Sequence, residues 1–306
     1  MVSEEYLETL AGPRGGSEPI DYETLKRLLS ESRELPIASV GGSTVNTIKG
    51  LSYLGHPCTI IGKIGNDPAG EMFCSTMESQ GIQTQLISSD KPTAQVVCLI
   101  SPDKDRTMRS HLGAGLELKP EDLNPELFQG VRLVHIEGYL LALPGVVKRA
   151  MELAKEVGAE VSFDLSSFEI VAEHRESIVE LMSSFVKVVF ANIEETSTLT
   201  GVDDPKRGCI FLKDLSEIAV VKMGGRGGWA SSEIGTPHFY QPVPAKVLDT
   251  TGAGDFFASG FLHGYILQKK IEVCSHFGAV LASQIVQVIG ADLPSDVWKK
   301  IKTELT

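Results

Sequence analysis

Short apolar runs alternate along the chain with longer runs in which apolar residues recur every three or four positions. Several short runs, such as VKVVFA at 186–191, are almost continuously apolar instead of alternating with polar residues. Strands of this kind are buried on both faces of a sheet, and the helices between them cover those faces. The pattern therefore predicts a three-layer α/β fold in which a mostly parallel central sheet is flanked by helices.

The apolar runs and the turn residues between them predict where each element begins and ends. The predicted strands are Pro36–Val40, Cys58–Lys63, Gln83–Ile87, Ala94–Ser101, Arg132–Glu137, Glu160–Asp164, Lys187–Ala191, Ile218–Met223 and Gly228–Ser232. The predicted helices are Tyr22–Ser32, Thr44–Leu54, Gly70–Gln80, Val146–Val157, Phe168–Ser184, Gly254–Leu267, Ile271–Val288 and Pro294–Leu305.

Two regions depart from this alternation. Residues 83–115 contain two strand-like runs joined by the turn sequence SPDKD, and residues 1–40 are polar and rich in loop-forming glycine. We expect these two regions to form a small β-rich unit.

Charge and composition narrow the range of functions. The sequence has 28 Lys and Arg against 40 Asp and Glu, which gives a formal net charge of −12. Nucleic acids and anionic membranes repel such a protein, so we predict neither as a partner. No signal sequence is visible, and no apolar run reaches the roughly 18 residues of a membrane span. The five cysteines form no CxxC pair, which predicts free cysteines in the core of a cytoplasmic protein.

The segment DTTGAGD at 249–255 carries the clearest chemical signal. Its glycines precede an apolar helical run, and the free N–H groups of such a helix start bind anions such as phosphate. Asp255 lies just inside the predicted helix. A bound phosphoryl group repels a carboxylate there, but the carboxylate can act as general base on an incoming hydroxyl group. The alternative is a capping aspartate on an ordinary core helix.

Two further glycine-rich turns precede this segment. Gly41 and Gly42 begin GGSTVN and predict a helix capped by Ser43 or Thr44, with Asn46 on the first turn. An asparagine there can donate to and accept from a polyhydroxyl ligand, or it can face solvent. The run GGRGG at 224–228 lies between two predicted strands, which indicates a hairpin that can also wrap a nucleotide.

A candidate metal site follows the strand VKVVFA. Asn192 and Glu195 are three residues apart, so they share one face if a helix begins there. Oxygen ligands at the carboxyl end of a parallel strand suit Mg²⁺, usually through water. An exposed helix start remains the alternative. The chain contains no Walker-type GxxxxGK[ST] and no GxGxxG that opens a helix, which argues against a P-loop enzyme and against a dehydrogenase.

Together these segments resemble the ribokinase-like carbohydrate kinases of the PfkB family. The resemblance rests on GGSTVNTIKGLSYLG at 41–55, GKIGNDPAGE at 62–71, NIEE at 192–195, VVKMGGRGG at 220–228 and DTTGAGDFFASGF at 249–261. Their order and spacing match the family from about residue 35 to the end. The segments RTMRSHLGAG, EGYLL and FDLSSFEIV are most similar to the adenosine-kinase-type branch, which also contains sugar kinases.

The resemblance implies a role for each matching residue. The catalytic positions are Asp255, the general base, and Gly252, Ala253 and Gly254, whose amides hold charge on the transferred phosphoryl group. The positions that contact the acceptor substrate are Gly42, Asn46 and Tyr139. The positions that bind the nucleotide are Asn192, Lys222, Gly224, Gly225, Gly228 and Thr250. Asn192 and Glu195 would also place Mg²⁺, through water.

Family members often hold a monovalent cation near the glycine loop, mainly with carbonyl oxygens. The resemblance therefore adds K⁺ to ATP and Mg²⁺ as an expected cofactor. The positions that match its ligands are Asp249, Thr251, Ile285, Val288 and Gly290.

The resemblance also divides the chain. Residues 41–89 and 116–306 correspond to the α/β kinase core, and part of residues 1–40 with residues 90–115 corresponds to a lid that excludes water. Family members begin with an apolar strand, whereas Met1 is followed by the polar SEEYLETL, so we expect this strand to be missing. A lid sheet with an exposed edge is compatible with either a monomer or a lid-mediated homodimer.

The sequence thus predicts a kinase, dependent on ATP and Mg²⁺, that phosphorylates a primary hydroxyl group of a sugar or ribonucleoside. One alternative is adenosine kinase itself. Such kinases typically have two adjacent aromatic residues where this chain has Tyr139 and Leu140, so one surface for base stacking is lost. The alternative from another class is a catalytically weak or inactive member that only binds nucleotide or a partner protein.

Overall fold

The structure is a computed structural model that describes residues 6–7, 17–31, 36–101, 106–233 and 236–305. The strands in these ranges are β1 (Ser17–Pro19), β2 (Cys58–Gly65), β3 (Ile82–Ser89), β4 (Gln95–Ile100), β5 (Arg106–His111), β6 (Leu133–Glu137), β7 (Glu160–Asp164), β8 (Val186–Asn192), β9 (Ile218–Lys222), β10 (Gly228–Ser231) and β11 (His238–Tyr240). The α-helices are α1 (Tyr22–Glu31), α2 (Ser43–Tyr53), α3 (Pro68–Ser79), α4 (Val146–Glu156), α5 (Phe168–Glu173), α6 (Arg175–Phe185), α7 (Ile193–Thr200), α8 (Pro205–Leu215), α9 (Ala253–Ile266), α10 (Ile271–Ile285) and α11 (Ser295–Glu304).

A six-stranded sheet forms the centre of the larger part of the chain, in the order β11-β10-β9-β8-β7-β6. Strands β6 to β9 are parallel, and β10 and β11 are antiparallel to their neighbours. The register pairs Glu137 with Asp164 and Asn192 with Lys222. Polar residues therefore end four adjacent parallel strands at the same edge of the sheet, where ligands of such sheets bind.

Apolar side chains cover both faces of this sheet. Alternate residues of β8 point to opposite sides, so Val189 packs in the cluster formed with α4, α6 and α8. Val188 and Phe190 pack against Phe257 and Phe261 of α9 on the other face. Burial of each such side chain contributes about 1.5–3 kcal/mol. This is the three-layer α/β arrangement that the apolar runs predicted.

Several predicted boundaries are wrong. The helix predicted over 168–184 is two helices, α5 and α6, because His174 leaves the helical conformation (φ −114°, ψ 22°) between them. Helices α7 and α8 were not predicted, although Asp204 caps α8 and Pro205 begins it. Strand β11 was not predicted either, and the described residues 36–40 form no strand. The predicted hairpin at 224–228 is confirmed, since it joins β9 to the antiparallel β10.

Contacts divide the chain into two compact units. The described residues of the smaller unit lie in the ranges 1–40, 60–79 and 83–118, and the larger unit comprises 41–59, 80–82 and 119–306. A three-stranded sheet of order β1-β5-β4 lies in the smaller unit, and β2 pairs with β3. This unit includes residues 60–79 and 83–89, which the sequence assigned to the kinase core. Its role as a lid stays a prediction.

The structure tests only some of the remaining predictions, which concern the N-terminus, membrane spans, the cysteines, the oligomeric state and the location. Residues 1–16, apart from 6–7, lie outside the described ranges. The predicted absence of the first family strand concerns this segment and stays a prediction. Within the described ranges, no helix is both long and apolar enough to cross a membrane. Cys209 and Cys274 are buried as predicted, but Cys98 is exposed on β4. The oligomeric state and the cytoplasmic location stay predictions.

Candidate active site

The first turns of α2 and α9 meet around one carboxylate. Ser43 Oγ donates a hydrogen bond of 2.8 Å to Asp255 Oδ1, and Asn46 Nδ2 donates one of 2.8 Å to Asp255 Oδ2. The backbone oxygen of Asp255 accepts from Ser259 Oγ at 3.0 Å, and this hydroxyl also donates to the Thr47 oxygen at 2.8 Å. The two segments that the sequence singled out separately thus form one site.

Glycine permits both helix starts. Gly42 (φ 123°) precedes α2 and Gly252 (φ 75°) precedes α9, and L-residues with a side chain rarely adopt these conformations. The predicted caps Ser43 and Thr44 are therefore wrong, because Gly42 takes the N-cap position and Ser43 is already helical. No side chain caps α9, and within the loop Ala253 N donates to Thr250 O at 3.2 Å. Uncapped helix starts of this kind commonly bind anions.

Burial changes the acid strength of Asp255. Burial, with a smaller contribution from the charge of Asp164, raises its pKa to about 6, whereas the hydrogen bonds from Asn46 and Ser43 and the charge of Lys222 oppose this rise. A carboxylate with this pKa is largely ionised at neutral pH and still accepts a proton readily. The prediction that Asp255 lies just inside a helix start is confirmed, and its role as general base stays a prediction.

Three charged side chains from neighbouring strands and α7 surround the same point. Lys222 Nζ at the end of β9 donates a 2.7 Å hydrogen bond to Asp164 Oδ2 at the end of β7. Burial alone lowers the pKa of Lys222, but the charges of Asp164 and Glu195 outweigh it, so the pKa is raised and the ammonium stays charged. A Cβ atom added to Gly254 would lie 3.2 Å from Lys222 Nζ. The ammonium therefore lies beside the uncapped start of α9.

Asn192 and Glu195 form a closed capping box at the start of α7. Asn192 Oδ1 accepts from the Glu195 N–H at 2.8 Å, while Glu195 Oε2 accepts from the Asn192 N–H at 2.8 Å. Glu195 Oε1 accepts from Asn192 Nδ2 at 2.7 Å. Glu195 is buried, which contradicts the alternative of an exposed helix start, and burial together with Asp164 raises its pKa to about 7.

These oxygens fit Mg²⁺ that arrives with a nucleotide. Mg²⁺ usually takes one or two carboxylates and keeps waters and phosphate oxygens as its other ligands. Asp164 and Glu195 supply such carboxylates next to the anion site, and across the described ranges no group of three acidic, His or Cys side chains forms a complete protein cage. The donor set therefore suits a metal shared with phosphates, not a resident structural metal.

A second carboxylate supports α2. Glu137 Oε2 accepts from both the N–H and the Oγ1 of Thr44, each at 2.8 Å. Burial raises the pKa of Glu137, and the two bonds from Thr44 oppose this. Ser166 (φ 69°) links the same strand ends, since its Oγ accepts from Gly138 N at 2.8 Å and its N–H donates to Asp164 Oδ1 at 3.0 Å.

Sequence reasoning missed Ser43, Glu137 and Asp164 as site residues. Glu137 and Asp164 each end a parallel strand, and the rule that ligands bind at those ends would have found them. Nothing in the sequence indicates that Ser43 reaches Asp255, because that contact spans 212 residues of chain.

The turn after α10 closes on the glycine loop. Asp249 Oδ2 accepts from Gly290 N at 2.6 Å and its Oδ1 accepts from Thr251 N at 2.9 Å. Three of the five predicted cation ligands, Asp249, Thr251 and Gly290, are thus brought together. Ile285 is the last residue of α10, and Val288 lies on the turn that follows. Carbonyl oxygens and one carboxylate are ligands that suit a monovalent cation, so the residues fit the predicted group.

The remaining predicted site residues lie in the β9–β10 hairpin, in the glycine loop and after β6. Gly224 and Gly225 are exposed at the β9–β10 hairpin, and Thr250 is exposed in the glycine loop. Gly228 is buried in β10, where a side chain would collide with Tyr240 Oη and the Val221 oxygen, so packing alone requires glycine there. Tyr139 follows β6 with 49% of its surface exposed.

Comparisons with known proteins identify the family of this chain. Residues 38–298 match the profile of the pfkB family carbohydrate kinases. A 5-dehydro-2-deoxygluconokinase from Clostridium perfringens is 27% identical over 289 residues, which cover 89% of this chain and 85% of that protein.

Two solved structures are similar over nearly the whole chain. An adenosine kinase from Sinorhizobium meliloti has a TM-score of 0.88 at 29% identity, covering 99% of this chain and 94% of its own. A probable sugar kinase from Rhizobium etli CFN 42 has a TM-score of 0.89 at 29% identity, covering 100% and 94%. The fold is therefore ribokinase-like, and the chain belongs to the pfkB family of carbohydrate kinases, which are phosphotransferases.

Proposed function

We propose that this protein transfers the γ-phosphoryl group of ATP to a primary hydroxyl group of a sugar or ribonucleoside, with Asp255 as general base. The position of the Asp255 carboxylate carries the proposal. It is buried on the first turn of α9, beside an uncapped helix start, and Ser43 and Asn46 each donate to one of its oxygens.

The transfer needs one group that accepts the hydroxyl proton and several fixed hydrogen-bond donors that stabilise negative charge on the phosphoryl group. Asp255 takes the hydroxyl proton as the acceptor oxygen bonds to the γ-phosphorus and the bond to the bridging oxygen of ADP breaks. The amides of Gly252, Ala253 and Gly254 stabilise charge on the transferred group. Bound Mg²⁺ would neutralise phosphate charge, and Asn192, Glu195 and Asp164 would hold it through water.

A buried acceptor atom supports a hydroxyl-bearing substrate. Asn46 is 5% exposed, and its Oδ1 has no hydrogen-bond partner among the described residues. A buried oxygen of this kind is normally satisfied, so a hydroxyl group of the acceptor substrate would complete it. We assign Gly42, Asn46 and Tyr139 to the acceptor side.

The proposed nucleotide side comprises Lys222, the hairpin between β9 and β10, and the glycine loop. Lys222 beside Gly254 binds the phosphates, because its pKa is raised and its ammonium stays charged. We assign Gly224, Gly225, Gly228 and Thr250 to the nucleotide as well. We also assign K⁺ to the turn formed by Asp249, Thr251, Ile285, Val288 and Gly290, and replacement of K⁺ by Na⁺ or choline at equal ionic strength tests this.

The relatives suggest two acceptor classes. The Clostridium perfringens relative supports a sugar-derived acceptor, and the Sinorhizobium meliloti structure supports adenosine. Tyr139 is half-exposed and can stack on a base, which favours adenosine as the second candidate. Base stacking is worth about 1–3 kcal/mol, so Tyr139→Leu would raise the KM for a nucleoside and leave that for a sugar unchanged.

The first experiment measures acceptor-dependent ADP release with Mg-ATP and K⁺. The panel holds ribose, fructose, fructose phosphates, 5-dehydro-2-deoxygluconate, adenosine, inosine and cytidine. The Asp255→Asn variant should bind ATP normally and lose turnover by about 10²–10⁴-fold. Near-normal turnover would contradict the assignment of the base. ATP binding without ADP release from any acceptor would favour the inactive, nucleotide-binding alternative.

A further inference from the structure

A lysine is buried in α2, the helix whose Ser43 and Asn46 donate hydrogen bonds to Asp255 of α9. Lys49 lies on α2 one turn after Asn46, and only 1% of its side chain is exposed. Its ammonium forms an ion pair with Asp292 and donates a hydrogen bond of 3.4 Å to the Ala291 oxygen. Asp292 is 51% exposed, so the cost of burying charge falls on the lysine, and an apolar side chain would avoid that cost; stability alone therefore gives no reason for a lysine here.

The residues that Lys49 binds lie on the turn behind the glycine loop. In this turn Val286 O accepts from Leu248 N at 2.7 Å and from Asp249 N at 3.2 Å. Gly290 N closes the same contact by donating to Asp249 Oδ2. A Cβ atom on Gly252 would lie 3.4 Å from the Ala291 Cβ. The turn at 286–292 is thus the wall against which the anion-binding loop rests.

We propose that Lys49 is a positioning residue for phosphoryl transfer. Its ammonium fixes the direction of the Ala291 carbonyl group and ties the 286–292 turn to α2. The turn then holds Asp249 and Gly252, and α2 holds Asp255 through Ser43 and Asn46. One side chain therefore ties the turn behind the glycine loop to the helix that orients the Asp255 carboxylate. This inference rests on the proposed kinase function.

Loss of this contact should change kcat more than KM. The amides at the start of α9 act on charge that develops during transfer, so a misplaced loop weakens the transition state more than the bound substrates. We expect Lys49→Met to lower kcat at least tenfold and to change the KM for the acceptor less than twofold. The exposed Lys148, which pairs with Glu180 at 3.6 Å, gives the matched control Lys148→Met, for which both constants stay at the wild-type value.

A second variant separates positioning from stability. Lys49→Met leaves Asp292 without its partner, whereas the double variant Lys49→Met/Asp292→Leu replaces the pair by apolar side chains and should melt near the wild-type temperature. Its kcat should stay low. Hydrogen exchange of the amides at 249–255, measured by mass spectrometry without substrate, should be faster than in wild type and in Lys148→Met.

The outcomes are distinct. Recovery of kcat together with the melting temperature in the double variant would make Lys49 purely structural, and unchanged exchange at 249–255 would overturn the proposal as well. If neither Lys49 variant folds, Asp292→Asn takes their place, and wild-type kcat and exchange in that variant would also overturn it. Absence of ADP release from the wild-type protein contradicts the kinase function instead, and the exchange measurement still decides the role of Lys49.

Discussion

At the scale of single residues, burial raises the pKa of the Asp255 carboxylate, and hydrogen bonds lower it. Burial makes Asp255 a stronger base than a solvent-exposed aspartate, and Ser43 and Asn46 keep enough of it ionised to work at neutral pH. The general base must be deprotonated, so kcat/KM should fall as pH decreases through about 6.

Ser43→Ala should move this acidic limb to higher pH. The variant removes a hydrogen bond that stabilises the ionised carboxylate, so the pKa of Asp255 rises above its wild-type value of about 6. A bond to a charged group is worth about 1.5–3 kcal/mol, which corresponds to a shift on the order of one pH unit. The check is a pH profile of kcat/KM. Ser52→Ala, at the other end of α2, is the control; coincident profiles for Ser43→Ala and wild type would contradict the prediction.

At the scale of elements, the helix starts carry the function. The start of α9 needs Gly252 because φ is 75°, and a Cβ atom there would be in ordinary van der Waals contact with Ala291 Cβ at 3.4 Å and Asn46 Nδ2 at 3.5 Å. Gly201 after α7 has a similar φ of 71° but open space around it. A residue with a side chain would therefore be strained by the positive φ at both positions, but only Gly252 has neighbouring atoms close to the added side chain.

Gly252→Ala should lower both stability and kcat, whereas Gly201→Ala should lower only stability. The left-handed conformation costs an alanine about 1–2 kcal/mol at either position. At Gly252 any backbone shift that relieves this strain also moves the amides that we propose to stabilise the transferred phosphoryl group, so kcat should fall at least tenfold. Thermal melting and steady-state kinetics of both variants measure this. Equal kcat values in the two variants would show that the loop tolerates the displacement.

The helix caps of α7 and α8 give a second pair of variants to compare. Asn192→Ala removes a cap that is part of the site, and Asp204→Ala removes the cap of α8, where Asp204 Oδ1 accepts from Arg207 N at 2.8 Å. Each loss should cost about 1 kcal/mol of stability. Only Asn192→Ala should raise the Mg²⁺ concentration needed for half-maximal turnover, because only there is Glu195 released. A Mg²⁺ titration of both variants decides whether the capping box serves the metal.

Elements with a strong period were predictable from the sequence, and elements set by tertiary contacts were not. The buried strands β7, β8 and β9 and the long helices α9 and α10 have continuous or regular apolar patterns. Helix α7 has few apolar residues, and its capping box, not its periodicity, fixes its start. In the site, the glycine loops were visible as motifs, but the contacts of Asp255 with Ser43 and of Lys49 with Asp292 join distant segments that no local pattern connects.

At the scale of the whole molecule, the charge balance decides how the nucleotide binds. The chain carries a formal charge of −12, and the described site places Asp164, Glu195 and Asp255 around the ammonium of Lys222. Three acidic side chains facing one lysine repel the phosphates of free ATP. The neutralising charge must therefore come with the nucleotide, as Mg²⁺.

ATP should accordingly bind at least tenfold more weakly in EDTA than in excess Mg²⁺, as measured by calorimetry. Added NaCl should strengthen the binding of free ATP, because salt screens the repulsion over about 10 Å at 0.1 M. This salt dependence is opposite to that of a basic phosphate site, where salt weakens binding. Adenosine, which has no phosphate, is the control ligand, and neither EDTA nor salt should change its affinity. Equal affinity for ATP with and without Mg²⁺ would mean that the amides of α9 and Lys222 alone outweigh the surrounding carboxylates.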